Sequence, residues 1–285
     1  MTYTHASSKS EKDLISYQSV RGAETKAIYE TIREGTSLSS IEKKFVKPTE
    51  TSNSKSVKDT IQFLHATDFL ERPSERTVEP LDGQPFGDLP FELQLFHHLS
   101  QQEAPQDHFI EVAEVIANQD QITYDKDDLL EDLKRELGSY PFDWNIEKVQ
   151  MWYNMMAPMG LVSVRDNQEL LTSPSPAVVY DLLDAYRSRE NDHRLRSAFD
   201  WVEKNFFSCY ASRGGIPRVH RGLSDTLGTL VSDGVLDLEA PSDATYEVKV
   251  SSANADKVSS FTLHERPQRP AYRYPLDAHE IEVKA

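Results

Sequence analysis

The chain has 285 residues, with 31 Lys+Arg against 47 Asp+Glu and a formal net charge of −16. No apolar run approaches the roughly 18 residues of a membrane-spanning helix, and the single cysteine, Cys209, excludes an internal disulfide or a thiolate metal cage. The start of the chain lacks the charged and apolar stretches of a secretory signal, so a soluble cytoplasmic protein of two or three domains is expected.

Charge is unevenly spread. Residues 1–72 hold 11 basic and 10 acidic side chains, residues 73–190 hold 8 and 23, and residues 191–285 hold 12 and 14. A polyanion would therefore be met by the ends of the chain, not by its acidic centre. Such acidity also suits adaptation to a salty cytoplasm.

Residues 1–20, polar and rich in Ser and Lys, read as a flexible lead-in. Ala23, Ala27, Ile28 and Ile32 then share one helical face, with Gly35 as a stop. Leu38, Ile41 and Phe45 mark a second helix, and Val57, Thr60, Ile61 and Leu64 a third. Two short strands, 68–72 and 77–80, complete a first unit over 21–82.

A Pro/Gly-rich linker, 80–90, leads into an acidic middle unit over 83–190. Helices are expected at 91–100, 108–118, 125–137 and 143–156, followed by a hairpin at 161–172 and a Ser-Pro-capped helix at 175–187. Trp144, Trp152, Tyr153, Met155, Met156 and Met159 are expected to fill its core.

The third unit, 191–253, opens with a helix whose stripe is Leu195, Phe199, Val202 and Phe206. Arg213-Gly214-Gly215-Ile216-Pro217 breaks the chain before a helix at 219–232 and strands at 235–239 and 245–250. An extended C-terminal tail, 254–285, carries a short strand at 259–263. The expected fold class is mainly α with small β-hairpins (α+β), in repeats of about 60–90 residues alike in pattern rather than in letters.

Three stretches share one junction: Ile61-Gln62-Phe63-Leu64-His65-Ala66-Thr67-Asp68-Phe69-Leu70, then Val149 through Val162 around Met159-Gly160-Leu161, then Leu223 through Leu236 around Asp233-Gly234-Val235. Each resembles the passage from the third helix into the first wing strand of winged helix-turn-helix domains. That helix must bury one stripe and then turn sharply into a strand. The resemblance implies tandem winged-helix units in which the third helix enters the major groove of double-stranded DNA.

On that resemblance the first unit's DNA-binding candidates are Lys43, Lys44, Lys47, Lys55 and Lys58, with Asn53 and Ser54 where the third helix begins. In the last unit, residues 204–224 contain no carboxylate but hold Lys204, Arg213, Arg218, His220 and Arg221. Arginine suits bidentate phosphate or guanine contacts. Salt bridging of these arginines to the acidic middle unit is the competing reading. Arg266, Arg269 and Arg273, with Tyr272 and Tyr274, could track a nucleic-acid backbone from the tail.

Enzymatic readings find little. His97-His98 lacks the Glu of a metalloprotease helix and reads as a helix-surface pair, and no GxxxxGK[ST] or GxGxxG cradle exists. Asp125, Asp127, Asp128, Glu131 and Asp132 lack the Gly of a calcium loop and read as a solvated face. Neither cofactor nor metal is expected. The expectation is a non-enzymatic DNA-binding protein using its first and third units, a subunit of a multiprotein DNA-processing, antiviral defence or regulatory system. The alternative is an adaptor similar to the tandem winged-helix proteins that bind kleisins, with partner subunits but no direct DNA contact.

Overall fold

One arrangement of elements recurs three times along the chain. The computed structural model describes residues 12–46, 54–165, 169–239, 247–251, 257–264 and 266. The first module comprises α1 (Gly22–Thr31), β1 (Thr36–Ser37), α2 (Leu38–Phe45), α3 (Lys55–Ala66), β2 (Leu70–Ser74) and β3 (Thr77–Pro80). Its antiparallel sheet has the order β1-β3-β2, so the last strand lies between the other two. Ser37 starts α2 by accepting the Ser40 N–H at 3.3 Å.

After α4 (Phe91–Ser100), the second module repeats this order with α5 (His108–Gln119), β4 (Thr123–Tyr124), α6 (Lys126–Glu136), α7 (Ile146–Met156), β5 (Ser163–Val164) and β6 (Leu170–Leu171). Again the last strand is central, β4-β6-β5. Asp125 and Asn145 cap α6 and α7 through their side-chain oxygens.

The third module contains α8 (Pro176–Glu190), α9 (Leu195–Asn205), β7 (Tyr210–Ser212), β8 (Arg218–Val219), α10 (Arg221–Ser232), β9 (Leu236–Glu239), β10 (Val248–Lys249), β11 (Lys257–Val258) and β12 (Ser260–Leu263). A single antiparallel bridge from Arg194 to Ser260 stands where the other modules have a first strand, and β12 also pairs with β9. Removing the inserted sheet β11-β10-β8-β7 leaves the same helix–strand–helix–helix–strand–strand order.

Helix α8, read from sequence as the end of the middle unit, therefore opens the third module. The strands expected at 235–239 and 245–250 do not pair with each other. β9 takes β12 as its partner, while β10 joins β8 in parallel and β11 antiparallel.

The modules share one apolar core. α4 is buried on every side, including Glu92, Gln94, His97 and His98, and packs on α5, α8 and α9. Phe91 meets Tyr29 and Phe69 of the first module at ring separations of 5.2 and 5.3 Å, and Phe96 meets Phe207 at 5.6 Å. Each such side chain contributes about 1.5–3 kcal/mol on burial. Lys26 of α1 adds an ion pair to Glu92 at 2.8 Å.

Two glycines mark where modules touch. A Cβ on Gly22 would lie 2.5 Å from the Met155 carbonyl oxygen of α7, and one on Gly222 would strike the Thr172 carbonyl that follows β6. The expected lead-in is not loose from residue 12 onward. Leu14, Ile15, Tyr17 and Val20 are buried, and the backbone N–H groups of Leu14 and Ile15 donate to Gln106 Oε1 at 2.8 Å and His108 Nε2 at 3.0 Å.

Candidate nucleic-acid interface

The inner face of α3 carries Val57, Thr60, Ile61, Phe63 and Leu64 into the core, so the opposite face must meet water. Lys55, Lys58 and Gln62 are exposed there, at the three- and seven-residue spacing that aligns side chains along a helix. Lys43 and Lys44 are exposed on α2, whose Ile41 and Phe45 are buried. Lys58 reaches back to Glu42 at 3.5 Å, an open contact of modest strength that links the two helices.

The acid within α3 does not neutralise this face. Asp59 is turned inward and accepts the Ser19 hydroxyl at 2.5 Å. The β2–β3 turn adds two exposed arginines, Arg72 and Arg76, the former donating to the Glu75 carbonyl at 3.3 Å. Sequence reasoning singled out neither these nor Gln62. The i, i+3, i+7 spacing from Lys55 was the available signal for the glutamine. Lys47 and Asn53 lie outside the described residues.

The third module's cations are placed differently. Arg213 lies 3.1 Å from Glu203 of α9 and 3.8 Å from Glu114 of α5. Arg218 pairs with Asp120, the residue ending α5, and Asp120 also accepts the Arg221 backbone N–H at 2.8 Å. The Arg213 and Arg218 guanidinium groups, expected to face a duplex, thus clamp the β7–β8 hairpin onto the acidic middle module. The reason is electrostatic. The carboxylate-free segment folds against the most acidic part of the chain.

His220 is also not a surface contact. Its buried ring caps α10, with Nδ1 accepting the Leu223 N–H at 3.3 Å, and burial pushes its pKa down to about 4. Arg221 remains exposed, beside Asp225. Arg266 binds the buried Asp181 of α8 at 2.6 Å, which docks the tail's start on its own module. Arg269, Arg273, Tyr272 and Tyr274 lie outside the described residues.

α7 occupies the place of α3 in the second module, but its outward stripe, Glu147, Gln150 and Asn154, carries no cation. Val149, Met151, Trp152, Tyr153, Met155 and Met156 are buried, and α7 packs on α1 and on the turn Leu14–Ser16. Gln150 accepts from Lys126 Nζ at 2.5 Å and donates to Asn154 Oδ1 at 3.0 Å, so both ends of its amide are engaged. On α10, Thr229 and Ser232 donate to their own helix, to the Asp225 and Gly228 carbonyls at 3.0 and 2.8 Å.

The remaining reactive side chains are structural in placement. His97 and His98, expected on a helix surface, are both buried. His97 Nδ1 is 3.0 Å from the Asn205 carbonyl, and the His98 ring lies 4.3 Å from that of Phe69. Burial pushes the His98 pKa down to about 4 and the Cys209 thiol well up. Among the described residues, no group of three or more His, Cys, Asp or Glu is arranged to hold a metal ion, and no helix is long and apolar enough to cross a membrane. Comparison with family models, with curated proteins and with solved structures found no match for this chain.

Proposed function

We propose that the three modules are winged-helix units in tandem and that the chain is a non-enzymatic double-stranded DNA-binding protein. The helix–strand–helix–helix–strand–strand order, repeated with the last strand central, supports the winged-helix reading. The observation that carries the DNA reading is the outward face of the first module. Lys55 and Lys58 of α3 stand with Lys43 and Lys44 of α2, and the nearby Asp59 is turned away.

In this reading α3 enters the major groove, and Arg72 and Arg76 of the β2–β3 turn approach the flanking phosphates. The second and third modules fix the first in a larger body, with Arg221 as a peripheral contact. Such a chain would serve as the DNA-engaging subunit of a multiprotein assembly.

The test is anisotropy of a labelled duplex titrated with the full chain at several salt concentrations. Replacing Lys43, Lys44, Lys55 and Lys58 together by Ala should weaken binding by more than about tenfold. It should also reduce the log–log salt slope by about 0.9 for each phosphate contact removed. An unchanged slope would exclude the first module as the contact.

One observation favours a second reading, a protein-binding adaptor. Arg213, Arg218 and Arg266 are held by the molecule's own carboxylates, which leaves fewer cations for phosphate. A wild-type chain that ignores duplexes yet binds a basic partner subunit would establish that alternative.

A further inference from the structure

Lys55, Lys58 and Gln62 stand in line on the outer face of α3, but the glutamine differs from its companions in kind. An ammonium group only donates, and it suits a phosphate anywhere along a duplex. A carboxamide presents an acceptor and donors side by side. Gln62 is exposed, and among the described residues no hydrogen bond engages its side chain.

The neighbourhood makes that freedom informative. The next positions along the stripe, His65 and Ala66, are half-buried, and His65 Nδ1 is 2.9 Å from the Leu70 carbonyl. Gln62 is therefore the last side chain on this face that can reach outward. Elsewhere the equivalent chemistry is occupied, since Gln150 on α7 is bonded at both ends of its amide.

We propose that Gln62 reads one adenine in the major groove, its carboxamide oxygen accepting from the N6 amino group and its NH2 donating to N7. Lys43, Lys44, Lys55 and Lys58 then supply binding that does not depend on sequence. The assignment rests on duplex binding through α3 as proposed above, and it adds which residue confers sequence preference and for which base.

The full-length wild-type chain and its Gln62→Ala and Gln62→Glu variants are each used to select from a pool of randomised duplexes, with circular dichroism to verify folding. The wild type should enrich sites containing one fixed A·T pair, favoured by about tenfold or more over other pairs at that position. Gln62→Ala should flatten that position alone, leaving any preference at the other positions of the selected sites in place. Gln62→Glu should turn it toward cytosine, whose N4 amino group a carboxylate can accept. A fixed A·T pair that survives both substitutions would overturn the assignment while leaving duplex binding intact, as would binding without sequence preference. Failure of the wild type to retain any duplex would overturn the assignment and the DNA-binding reading together.

Discussion

α3 and α7 hold the same place in two copies of one arrangement, yet one faces water and the other faces its neighbour. The difference lies in the side chains opposite each helix's own module core. On α3 they are Lys55, Lys58 and Gln62, which are favoured by solvent. On α7 the same stripe is Glu147, Gln150 and Asn154, whose side chains are engaged by Gln18, by Lys126 and by each other, while α1 and the Leu14–Ser16 turn pack on the helix. α10 is intermediate, with Arg221 exposed while its hydroxyls fold back on the helix. A repeated topology thus fixes where a helix lies, and the residues on its outward stripe decide whether that place becomes a surface or an interface.

Acid should break this contrast most strongly, because the buried histidines sit where modules meet. His98 lies on α4, His108 accepts the Ile15 N–H, and His220 starts α10 against the middle module, each with its pKa pushed down from 6.5 to about 4 by burial. Their neutral forms are favoured in the folded chain. The stability they contribute is therefore fully present above about pH 6.5 and is lost as pH falls toward 4. Each group should remove on the order of 1.4 kcal/mol per pH unit across that window. Urea midpoints measured from pH 7.5 to 4.5 should fall steeply below 6.5, and a flat profile would contradict the burial of these rings.

Gly222→Ala should have the next largest effect. The obstacle to the new Cβ is the Thr172 backbone carbonyl, which cannot rotate aside, so a loss of about 3 kcal/mol is expected on chemical unfolding. An unaffected midpoint would mean that α10 does not approach the middle module so closely.

Arg213→Ala and Arg218→Ala should have smaller effects and sharpen the comparison. Each removes a partly exposed ion pair, and stability should fall by about 1 kcal/mol. Duplex affinity and its salt slope should stay at wild-type values in the same anisotropy assay. A loss of affinity matching that of the lysine variants would return these arginines to the DNA surface.

Much of the first module could be read from the chain itself. Ile41, Phe45, Val57, Ile61 and Leu64 keep helical spacing, and the β2–β3 hairpin follows directly, so its contacts are local. The third module was harder because its defining pairs are distant. Its first strand is reduced to a bridge from Arg194 to Ser260, and β9 waits for β12 across an inserted segment. The destination of Arg218 depends on Asp120, 98 positions away, and no local pattern encodes that meeting. α4 concealed its burial behind Glu92, Gln94, His97 and His98: Glu92 and His97 meet Lys26 and Asn205 from distant parts of the chain, while Gln94 bonds back to the Leu89 carbonyl just before the helix.

That buried α4 has a practical corollary for anyone who dissects the protein. Trimming the chain to an isolated repeat would strip neighbours from Phe91, Leu93, Leu95, Phe96 and Leu99, exposing a greasy rod prone to aggregate. Assignments of activity to individual repeats are therefore better made with surface substitutions in the intact polypeptide than with truncated fragments.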